Sequence, residues 1–238
     1  MEQSEAKGLT VGQTWQSEIE SNGKKYLRIL VKTHFIKEGE DVGQVAVRYL
    51  EDIYQPGDCV IVSEKMVANT TGLAIDQSQI HPGWWAKRLY KFVKRTKHGR
   101  GIGTPEKMQV AIELAGLWRI LLATFVSAIT KLFGVKGWFY RVAGDKVRSI
   151  DGQSGGPNGP YWTKVILPLP EPNKTASEIA AACGYPVVIA DINDLGGSIK
   201  GWSDSEMRKH DFADILRDNP MGQTITMTPL ALVREAAK

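Results

Sequence analysis

The sequence contains little cysteine, and its first residues are not apolar. Cys59 and Cys183 are the two cysteines among 238 residues. Cys59 stands in a strand-like run and Cys183 at the end of a helix-like one. This spacing matches neither a metal knuckle nor a disulfide framework, so we expect a reducing compartment. The opening residues, Met1–Lys7, are polar and lack the apolar core of a signal peptide. The sequence therefore predicts a cytoplasmic protein.

An apolar run long enough to cross a membrane is also missing. The apolar stretch Ile120–Ile129 is far shorter than the roughly 20 residues that a span requires. Charged residues punctuate the region around it, namely Glu113, Arg119 and Lys131. We therefore expect no transmembrane segment. Instead, Met108–Phe133 is predicted to form one or two core helices, and a helix this apolar can also form a subunit interface.

The sequence has no phosphate-binding P-loop and no internal repeat. Its glycine-rich segment His98–Gly103 is not followed by Lys and then Ser or Thr, as a P-loop requires. We interpret this segment as a flexible loop that folds over a ligand. The formal net charge of +4 is modest and does not by itself indicate nucleic acid.

Basic residues are concentrated in one short segment, residues 87–100, where apolar residues such as Leu89 and Phe92 interleave with them. Three interpretations compete: a solvated amphipathic helix, a site for the phosphates of a nucleotide or phosphodiester, and a nucleic-acid surface. The third is disfavoured because the segment has no stacking motif or known module, so no specific nucleic acid is expected. The basic side chains are Lys87, Arg88, Lys91, Lys94, Arg95, Lys97, His98 and Arg100.

Two aspartates each follow apolar residues and precede a glycine-rich turn. Ile150 leads to Asp151 and Gly152, and the run Val187–Ala190 leads to Asp191, with Gly196 and Gly197 following. An acidic residue at the carboxyl end of a buried strand is well placed to hold a metal or a polar substrate. Two such residues on adjacent strands can share a divalent cation. The alternative is that both aspartates cap turns or helices.

Hydrophobic periodicity predicts a mixture of helices and strands, which indicates an α/β or α+β class. Asp41 is predicted to cap a helix, and Thr175 is predicted to cap another helix that Gly184 ends. The predicted strands are Tyr26–Thr33, Cys59–Val62, Val165–Leu169, Val187–Ala190, a strand-rich Thr224–Arg234, and a hairpin of Gly137–Tyr140 with Val147–Ile150. The predicted helices are Val42–Tyr54, Thr175–Cys183 and one that begins at Ser203–Glu206.

An ordered set of motifs resembles the coenzyme F420-0:gamma-glutamyl ligase family, and its non-standard bacterial relatives more closely than its archaeal enzymes. The set covers most of the chain in the family's order. It comprises Thr33–Asp41 (THFIKEGED), Gly57–Asn69 (GDCVIVSEKMVAN), Arg148–Asp151 (RSID), Leu167–Pro172 (LPLPEP), Ile189–Asn193 (IADIN) and Met221–Gln223 (MGQ).

The resemblance implies an α+β fold, a single ligase-like domain over residues 1–238, and a homodimer of interlocked protomers. The domain would contain two interlocked subdomains, with residues 84–140 as a variable insert. We expect the dimer to form partly through the region Ile120–Phe133.

The resemblance also implies a nucleotide- and metal-dependent amide ligase. GTP or ATP phosphorylates a carboxylate, and the amine of L-glutamate attacks the acyl phosphate; Mg²⁺ or Mn²⁺ neutralises the phosphates. The acceptor would be a small carboxylate, such as a coenzyme F420 precursor or a folate-like pterin. The implied metal ligands are Asp151, Asp191 and Gln223, and the two aspartates are also the implied catalytic residues. The implied nucleotide or cofactor contacts are Thr33, His34, Phe35, Glu64, Lys65, Asn69, Ser154, Gly222 and Gln223.

Several positions depart from the family pattern. Asn69 stands where the family has a phosphate-binding Lys, Ser154 where it has Asn, and Ile192 where it has Thr. The basic and apolar stretch Trp84–Phe133 replaces the family's middle region. The nucleotide is therefore predicted to be held differently, by Arg95, Lys97, His98 and Arg100. The alternative function is a catalytically inactive relative that binds an anionic small molecule or another polyanion through residues 87–100.

Overall fold

The computed structural model describes residues 9–93, 101–135, 137–152, 161–193, 196–222 and 226–236. Helices and a mixed sheet are both present, which confirms the predicted α+β class. The chain forms two compact units. The first unit comprises Met1–Gly72 and Leu169–Lys238, and the second unit is Leu73–Pro168. The predicted variable insert, residues 84–140, lies inside the second unit.

The first unit contains a six-stranded sheet. The strand order is β1-β2-β9-β3-β7-β8. Strands β3 and β7 run parallel, and the other neighbouring pairs are antiparallel. The strands are β1 (Thr14–Ser21), β2 (Lys24–Val31), β3 (Cys59–Ser63), β7 (Val187–Asn193), β8 (Gly196–Trp202) and β9 (Leu230–Glu235).

The central strands of this sheet are buried on both faces, which explains their continuous apolar sequence. One face packs on a cluster that includes Phe212, Ile215 and Leu216. On the other side, α8 (Pro172–Cys183) lies against β7, β8 and α1 (Val42–Leu50). The helices of this unit are α1 (Val42–Leu50), α2 (Glu64–Thr70), α8 (Pro172–Cys183) and α9 (Phe212–Ile215).

The helix boundaries of the first unit only partly agree with the sequence predictions. Asp41 caps α1 as predicted, because its carboxylate accepts from the backbone N–H groups of Gly43 and Gln44. Gly184 ends α8 in a left-handed conformation, also as predicted. However, the prediction that Thr175 caps this helix was wrong. The helix begins at Pro172, whose ring suits the first helical position, and the Thr175 hydroxyl donates to the Glu171 carbonyl.

Two further regions of the first unit differ from the predictions. The glycines at Gly196 and Gly197 were interpreted as a turn, whereas they begin strand β8. The helix predicted from Ser203 is a short 3₁₀ helix, Ser205–Lys209, which Asp204 caps. The predicted strand-rich C-terminal segment does contain a strand, although this strand, β9, begins only at Leu230.

The second unit combines helices with a small sheet, whose strand order is β4-β6-β5. Its core contains Ile102, Met108, Ile120, Phe139 and Val147. The helices are α3 (Trp84–Leu89), α4 (Pro105–Ala115), α5 (Leu117–Leu132), α6 (Trp138–Ala143) and α7 (Asp145–Arg148), and the strands are β4 (Ala74–Asp76), β5 (Asp151–Gly152) and β6 (Lys164–Ile166).

The hairpin predicted for Gly137–Tyr140 and Val147–Ile150 was wrong. The segments that contain these residues form α6 and α7 instead, separated by Gly144 at φ +97°. Aromatic and β-branched residues in such short runs are compatible with either a strand or a helix. Here the helical conformation places Phe139, Ala143 and Val147 in the core of the second unit.

The apolar region Met108–Phe133 forms two helices, as predicted. The helices α4 and α5 meet at Gly116 and differ in direction by 115°. Among the described residues, no single helix is long and apolar enough to cross a membrane. The bent pair has the required length and apolar composition only when its two helices are counted together.

Candidate active site

One edge of the six-stranded sheet brings together several of the predicted site residues. Strand β9 pairs Leu230 with both Val31 of β2 and Val62 of β3, so these two strands end level with each other. Parallel pairing places Ser63 opposite Ala190, so β3 and β7 reach the same edge. The residues that follow each strand therefore share one edge of the first unit, which is where α/β proteins commonly bind ligands.

Two carboxylates and a lysine form a cluster at this edge. Glu64 opens α2 directly after β3, and Asp191 follows Ala190 in β7. The Nζ atom of Lys200 lies 3.4 Å from Glu64 Oε2 and 3.5 Å from Asp191 Oδ2. The Glu64 side chain is 11% exposed and that of Asp191 38% exposed, so solvent reaches the cluster from the Asp191 side.

Lys200 enters this cluster because of a β-bulge. The pairing of β7 with β8 changes register between Ile189, which faces Gly201, and Ala190, which faces Ile199. Lys200 is the extra residue between these pairs. A bulge redirects the side chain of its extra residue and is common beside functional sites. Nothing in the sequence around Lys200 signals a bulge, so Lys200 was not among the predicted site residues.

Burial raises the pKa of the Glu64 carboxyl. The Lys200 ammonium acts in the opposite direction, and the negative charge of Asp191 raises the pKa further. With both carboxylates ionised and the lysine protonated, the cluster carries one net negative charge. Such a cluster favours an additional cation, and its carboxylate oxygens are of the kind that Mg²⁺ prefers.

The loop after β2 is held by a chain of polar contacts. Thr33 is buried, and its N–H donates to the Met227 carbonyl. The His34 ring lies between Tyr49 and Glu40, with Nδ1 2.8 Å from the Tyr49 hydroxyl and Nε2 2.8 Å from Glu40 Oε2. Hydrogen bonds from the Lys37 N–H and from His34 lower the pKa of the Glu40 carboxyl. This network fixes the His34 ring, while the following residue, Phe35, is 39% exposed.

The remaining predicted nucleotide contacts of the first unit lie in or beside the same loops. Asn69 is buried, and its amide donates to the Ile36 carbonyl at 2.8 Å. The amide at this position therefore anchors the loop after β2 where a Lys would carry a charge. Lys65 is half-buried in the first turn of α2. The Gly222 N–H donates to the Asn219 carbonyl in the turn that precedes β9.

The second predicted acidic position, Asp151, lies in the second unit. It forms β5 with Gly152 and pairs with Ile166. The backbone of Gly152 has φ +94°, and a Cβ there would collide with the Lys164 carbonyl, so only glycine fits beside Asp151. The ammonium of Lys107, which is 2% exposed, donates to the Gly152 carbonyl at 2.7 Å.

Lys107 was also missed by the sequence analysis, although a signal was present. It stands in the first turn of α4, after the N-cap Thr104. A cation is unfavourable at the positive end of a helix, so a lysine at this position indicates a specific partner. The carbonyl beside Asp151 is that partner.

Several predicted residues lie outside the described residues. These are Arg95, Lys97, His98, Arg100, Ser154 and Gln223. Asp151 and Asp191 belong to different units, and the metal that they were expected to share stays a prediction. Within the described ranges, no group of three or more His, Cys, Asp or Glu side chains is arranged to hold a metal ion.

Comparison with known proteins bears on this edge directly. Residues 30–122 match the family model described as F420-0:Gamma-glutamyl ligase. This match confirms the resemblance that the motifs indicated and points to a ligase. The matched residues include the loop after β2, the strand β3 and Glu64, and they extend into the second unit as far as α5.

An uncharacterized protein of Methanocaldococcus jannaschii is also similar to this chain. The two are 29% identical over 131 residues. The similar region covers 46% of this chain and 44% of that protein, so the chain matches less than half of the relative's length.

Proposed function

We propose that this protein is a nucleotide- and metal-dependent amide ligase that adds L-glutamate to a small carboxylate acceptor. The observation that carries the proposal is the cluster of Glu64, Asp191 and Lys200 at the edge where β3 and β7 end. The family match over residues 30–122 supports it because that segment contains Glu64 and the loop after β2. The acceptor is a coenzyme F420 precursor or a folate-like pterin.

The reaction has two steps. A nucleoside triphosphate, GTP or ATP, transfers its γ-phosphoryl group to the acceptor carboxylate, which gives an acyl phosphate and a nucleoside diphosphate. The amine of L-glutamate then attacks the acyl carbon, the bond to the phosphate oxygen breaks, and the amine loses a proton. The products are an amide and inorganic phosphate, so the nucleotide supplies the driving force for amide formation.

The residues of this chain suit charge neutralisation in the first step. Asp191 and Glu64 offer oxygen ligands for Mg²⁺ or Mn²⁺, and Asp151 is the corresponding carboxylate in the second unit. A bound divalent ion would neutralise phosphate charge and orient the transferred group. Lys200, a cation already held beside both carboxylates, contributes a further positive charge toward a bound phosphate.

The loop after β2 suits nucleotide contact. The His34 ring is oriented by Tyr49 and Glu40, so it is preorganised before any ligand binds. The neighbouring Phe35 is partly exposed, and its ring is of the kind on which a nucleobase can stack. The Asn69 amide anchors this loop by donating to the Ile36 carbonyl. Asn69, which stands where the family has a Lys, therefore has a structural role.

Thermal denaturation with nucleotide and metal tests this proposal. For the wild type, GTP or ATP with Mg²⁺ or Mn²⁺ should raise stability by about 2.7 kcal/mol at a hundredfold excess over Kd. The variants Asp191→Asn and Asp151→Asn should lose the metal-dependent part of this increase. Their controls are the exposed Asp52→Asn in the first unit and Asp145→Asn in the second, which should retain it.

Turnover provides the second measurement. Radiolabelled L-glutamate should enter a product when coenzyme F420-0 or a folate is supplied as acceptor, and this incorporation should require nucleotide and metal. If nucleotide stabilises the wild type without any metal, or if Asp191→Asn responds to metal as the wild type does, the metal role of this edge is wrong. Binding that depends on residues 87–100, with no turnover, would instead support the inactive relative.

A further inference from the structure

Exposed apolar side chains are concentrated in the second unit. Of the thirteen large hydrophobic residues that are exposed among the described residues, eleven belong to this unit. Soluble proteins commonly expose single apolar residues, but a contiguous group marks an interaction surface. We call this group the apolar face. Its members are Trp84, Trp85, Phe92, Trp118, Leu122, Phe125, Ile129, Leu132, Phe133, Val135 and Trp138.

Helix α5 forms the centre of the apolar face. Its buried residues Ile120, Ala123 and Ser127 are directed into the core of the unit. A second apolar stripe follows the opposite side of the same helix at alternating intervals of four and three residues, which is the spacing of one helical face. The stripe consists of Trp118, Leu122, Phe125, Ile129 and Leu132. The helix therefore has apolar residues on two sides, and the core covers only one of them.

Two contacts extend the apolar face beyond α5. The Nζ atom of Lys131 donates to the Phe92 carbonyl at 3.3 Å, so Phe92, which is 66% exposed, lies beside the end of α5. On the other flank α6 packs on α5 and contributes Trp138. The apolar face thus extends beyond the stripe of α5 to Phe92 on one flank and Trp138 on the other.

Cationic side chains accompany the apolar face. The Arg88 guanidinium lies 5.4 Å from the centre of the Trp84 ring, and that of Arg141 lies 5.3 Å from the centre of the Trp138 ring. Arg119 and Lys131 are exposed on α5 itself. Tryptophan beside lysine and arginine, with apolar side chains between them, is typical of protein surfaces that insert into the headgroup region of a bilayer.

The charge of the whole unit agrees with an anionic partner. Residues 73–168 contain fifteen Lys and Arg against five Asp and Glu, a formal net charge of +10. The rest of the chain contains fifteen Lys and Arg against twenty-one Asp and Glu, a formal net charge of −6. A second copy of this chain would bring one strongly basic unit against another across the same face, so an anionic surface is the more complementary partner.

We propose that the second unit docks on membrane surfaces that contain anionic phospholipids. The apolar stripe of α5 enters the boundary between headgroups and acyl chains, with the helix axis along the membrane plane. The surrounding Lys and Arg side chains contact lipid phosphates, each adding to the attraction for the charged surface. This inference goes beyond the ligase proposal and does not depend on it, because the apolar face contains none of the proposed catalytic residues.

Sedimentation of the full-length protein with vesicles tests this inference. The protein should sediment with vesicles of phosphatidylcholine and phosphatidylserine, and far less with vesicles of phosphatidylcholine alone. The double variant Leu122→Ser with Phe125→Ser should bind the anionic vesicles about tenfold more weakly or worse, because it removes inserted apolar area. Both residues are more than half exposed, so the variant should remain folded, which circular dichroism can verify.

Val11→Ser provides the matched control, since Val11 is an exposed apolar residue of the first unit. This variant should bind the vesicles as the wild type does. Raising the salt concentration should weaken binding of the wild type, because part of the attraction is electrostatic.

Three results would overturn the inference. The first is failure to sediment with anionic vesicles, and the second is equal binding by the double variant and the wild type. The third is a concentration-dependent dimer in analytical ultracentrifugation that the double variant abolishes, together with no vesicle binding. That result would assign the apolar face to a second copy of the chain, the dimer contact that the sequence predicts through Ile120–Phe133.

Discussion

In the first unit, charged side chains inside the fold have partners, whereas in the second unit a large apolar surface faces solvent. Arg28 is 1% exposed and pairs with Asp218, and the buried Asp58 accepts two hydrogen bonds of 2.7 Å from the Arg234 guanidinium. Glu64 lies beside Lys200. In contrast, the second unit exposes most of α5 outside its core contacts and carries a formal net charge of +10.

This difference indicates a division of labour within one chain. Paired buried charges require fixed geometry, and such geometry is what a site for phosphate and metal chemistry needs. An apolar surface surrounded by cations requires little internal precision, since lipids adapt to it. We therefore expect substitutions in the first unit to act mainly through stability and site geometry, and substitutions on the apolar face to act mainly through association.

The largest effect should come from truncating the core of the first unit. Leu30 in β2 is fully buried, and Leu30→Ala should lower the free energy of unfolding by about 2–5 kcal/mol, because it removes buried methyl groups and leaves a cavity. Leu122→Ala is the same chemical change on the apolar face and should alter stability by less than about 0.5 kcal/mol. Urea denaturation of both variants measures the difference. An equal loss in the free energy of unfolding for both variants would contradict the proposed difference between the units.

A smaller effect should follow from removing the buried cation of the second unit. Lys107→Met should lower the free energy of unfolding by about 1–3 kcal/mol, because the Gly152 carbonyl loses its buried hydrogen-bond donor. Thermal denaturation would measure this loss, and the exposed Lys146→Met provides the control. If both variants melt alike, the contact between Lys107 and the Gly152 carbonyl does not stabilise the second unit.

The smallest effect should be a pH dependence that originates in the first unit. Burial lowers the pKa of His210, and the neighbouring Lys209 lowers it further, whereas Glu235 opposes the shift. The folded protein thus binds this proton less readily than the unfolded chain does. Stability is therefore lost as the pH falls from about 6.5 through the lowered pKa.

The variant His210→Gln should be free of this loss, so its melting temperature should rise relative to the wild type between pH 7.5 and pH 5. The exposed His81→Gln of the second unit controls for the removal of an imidazole and should track the wild type at both pH values. A constant difference between His210→Gln and the wild type across this range would contradict the assigned pKa direction.

Much of the first unit was predictable because its signals are local. Asp41 caps α1 through its own neighbouring N–H groups, and Gly184 ends α8 by adopting a left-handed conformation. The run Cys59–Val62 is apolar throughout because both faces of its strand are covered. These features depend on a few adjacent residues, and sequence patterns report such features well.

Strand β8 was not predictable, because one of its glycines is required by a contact with a residue distant in the sequence. A Cβ at Gly201 would collide with the Pro172 carbonyl, so this glycine permits close approach between β8 and α8. In the sequence, glycines at this density indicate a turn. The pairing of Lys200 with Glu64 and Asp191 depends on the bulge in this strand. The sequence therefore indicated the two carboxylates of the cluster but not the lysine.

In the candidate site, too, residues with a local sequence signal were predicted and residues that depend on distant partners were not. The resemblance identified Glu64 and Asp191, which follow apolar strands, and it identified the loop after β2. It did not identify the two lysines, Lys200 and Lys107. No local pattern marks the bulge that positions Lys200, and the position of Lys107 in the first turn of α4 does not reveal which distant group it contacts. Such partners come from distant positions in the chain, and only the folded structure brings them together.

The discontinuity of the first unit has a consequence for synthesis of the chain on the ribosome. Strand β3, Cys59–Ser63, obtains its two neighbours from Val187–Asn193 and Leu230–Glu235. At translation rates of about 5–20 residues per second, the β3 segment waits on the order of ten seconds for its first neighbour. The second unit is one uninterrupted stretch and leaves the ribosome complete during this interval. The apolar residues of the second unit and an unpaired β3 segment are therefore outside the ribosome at the same time, before the partners of β3 have been made.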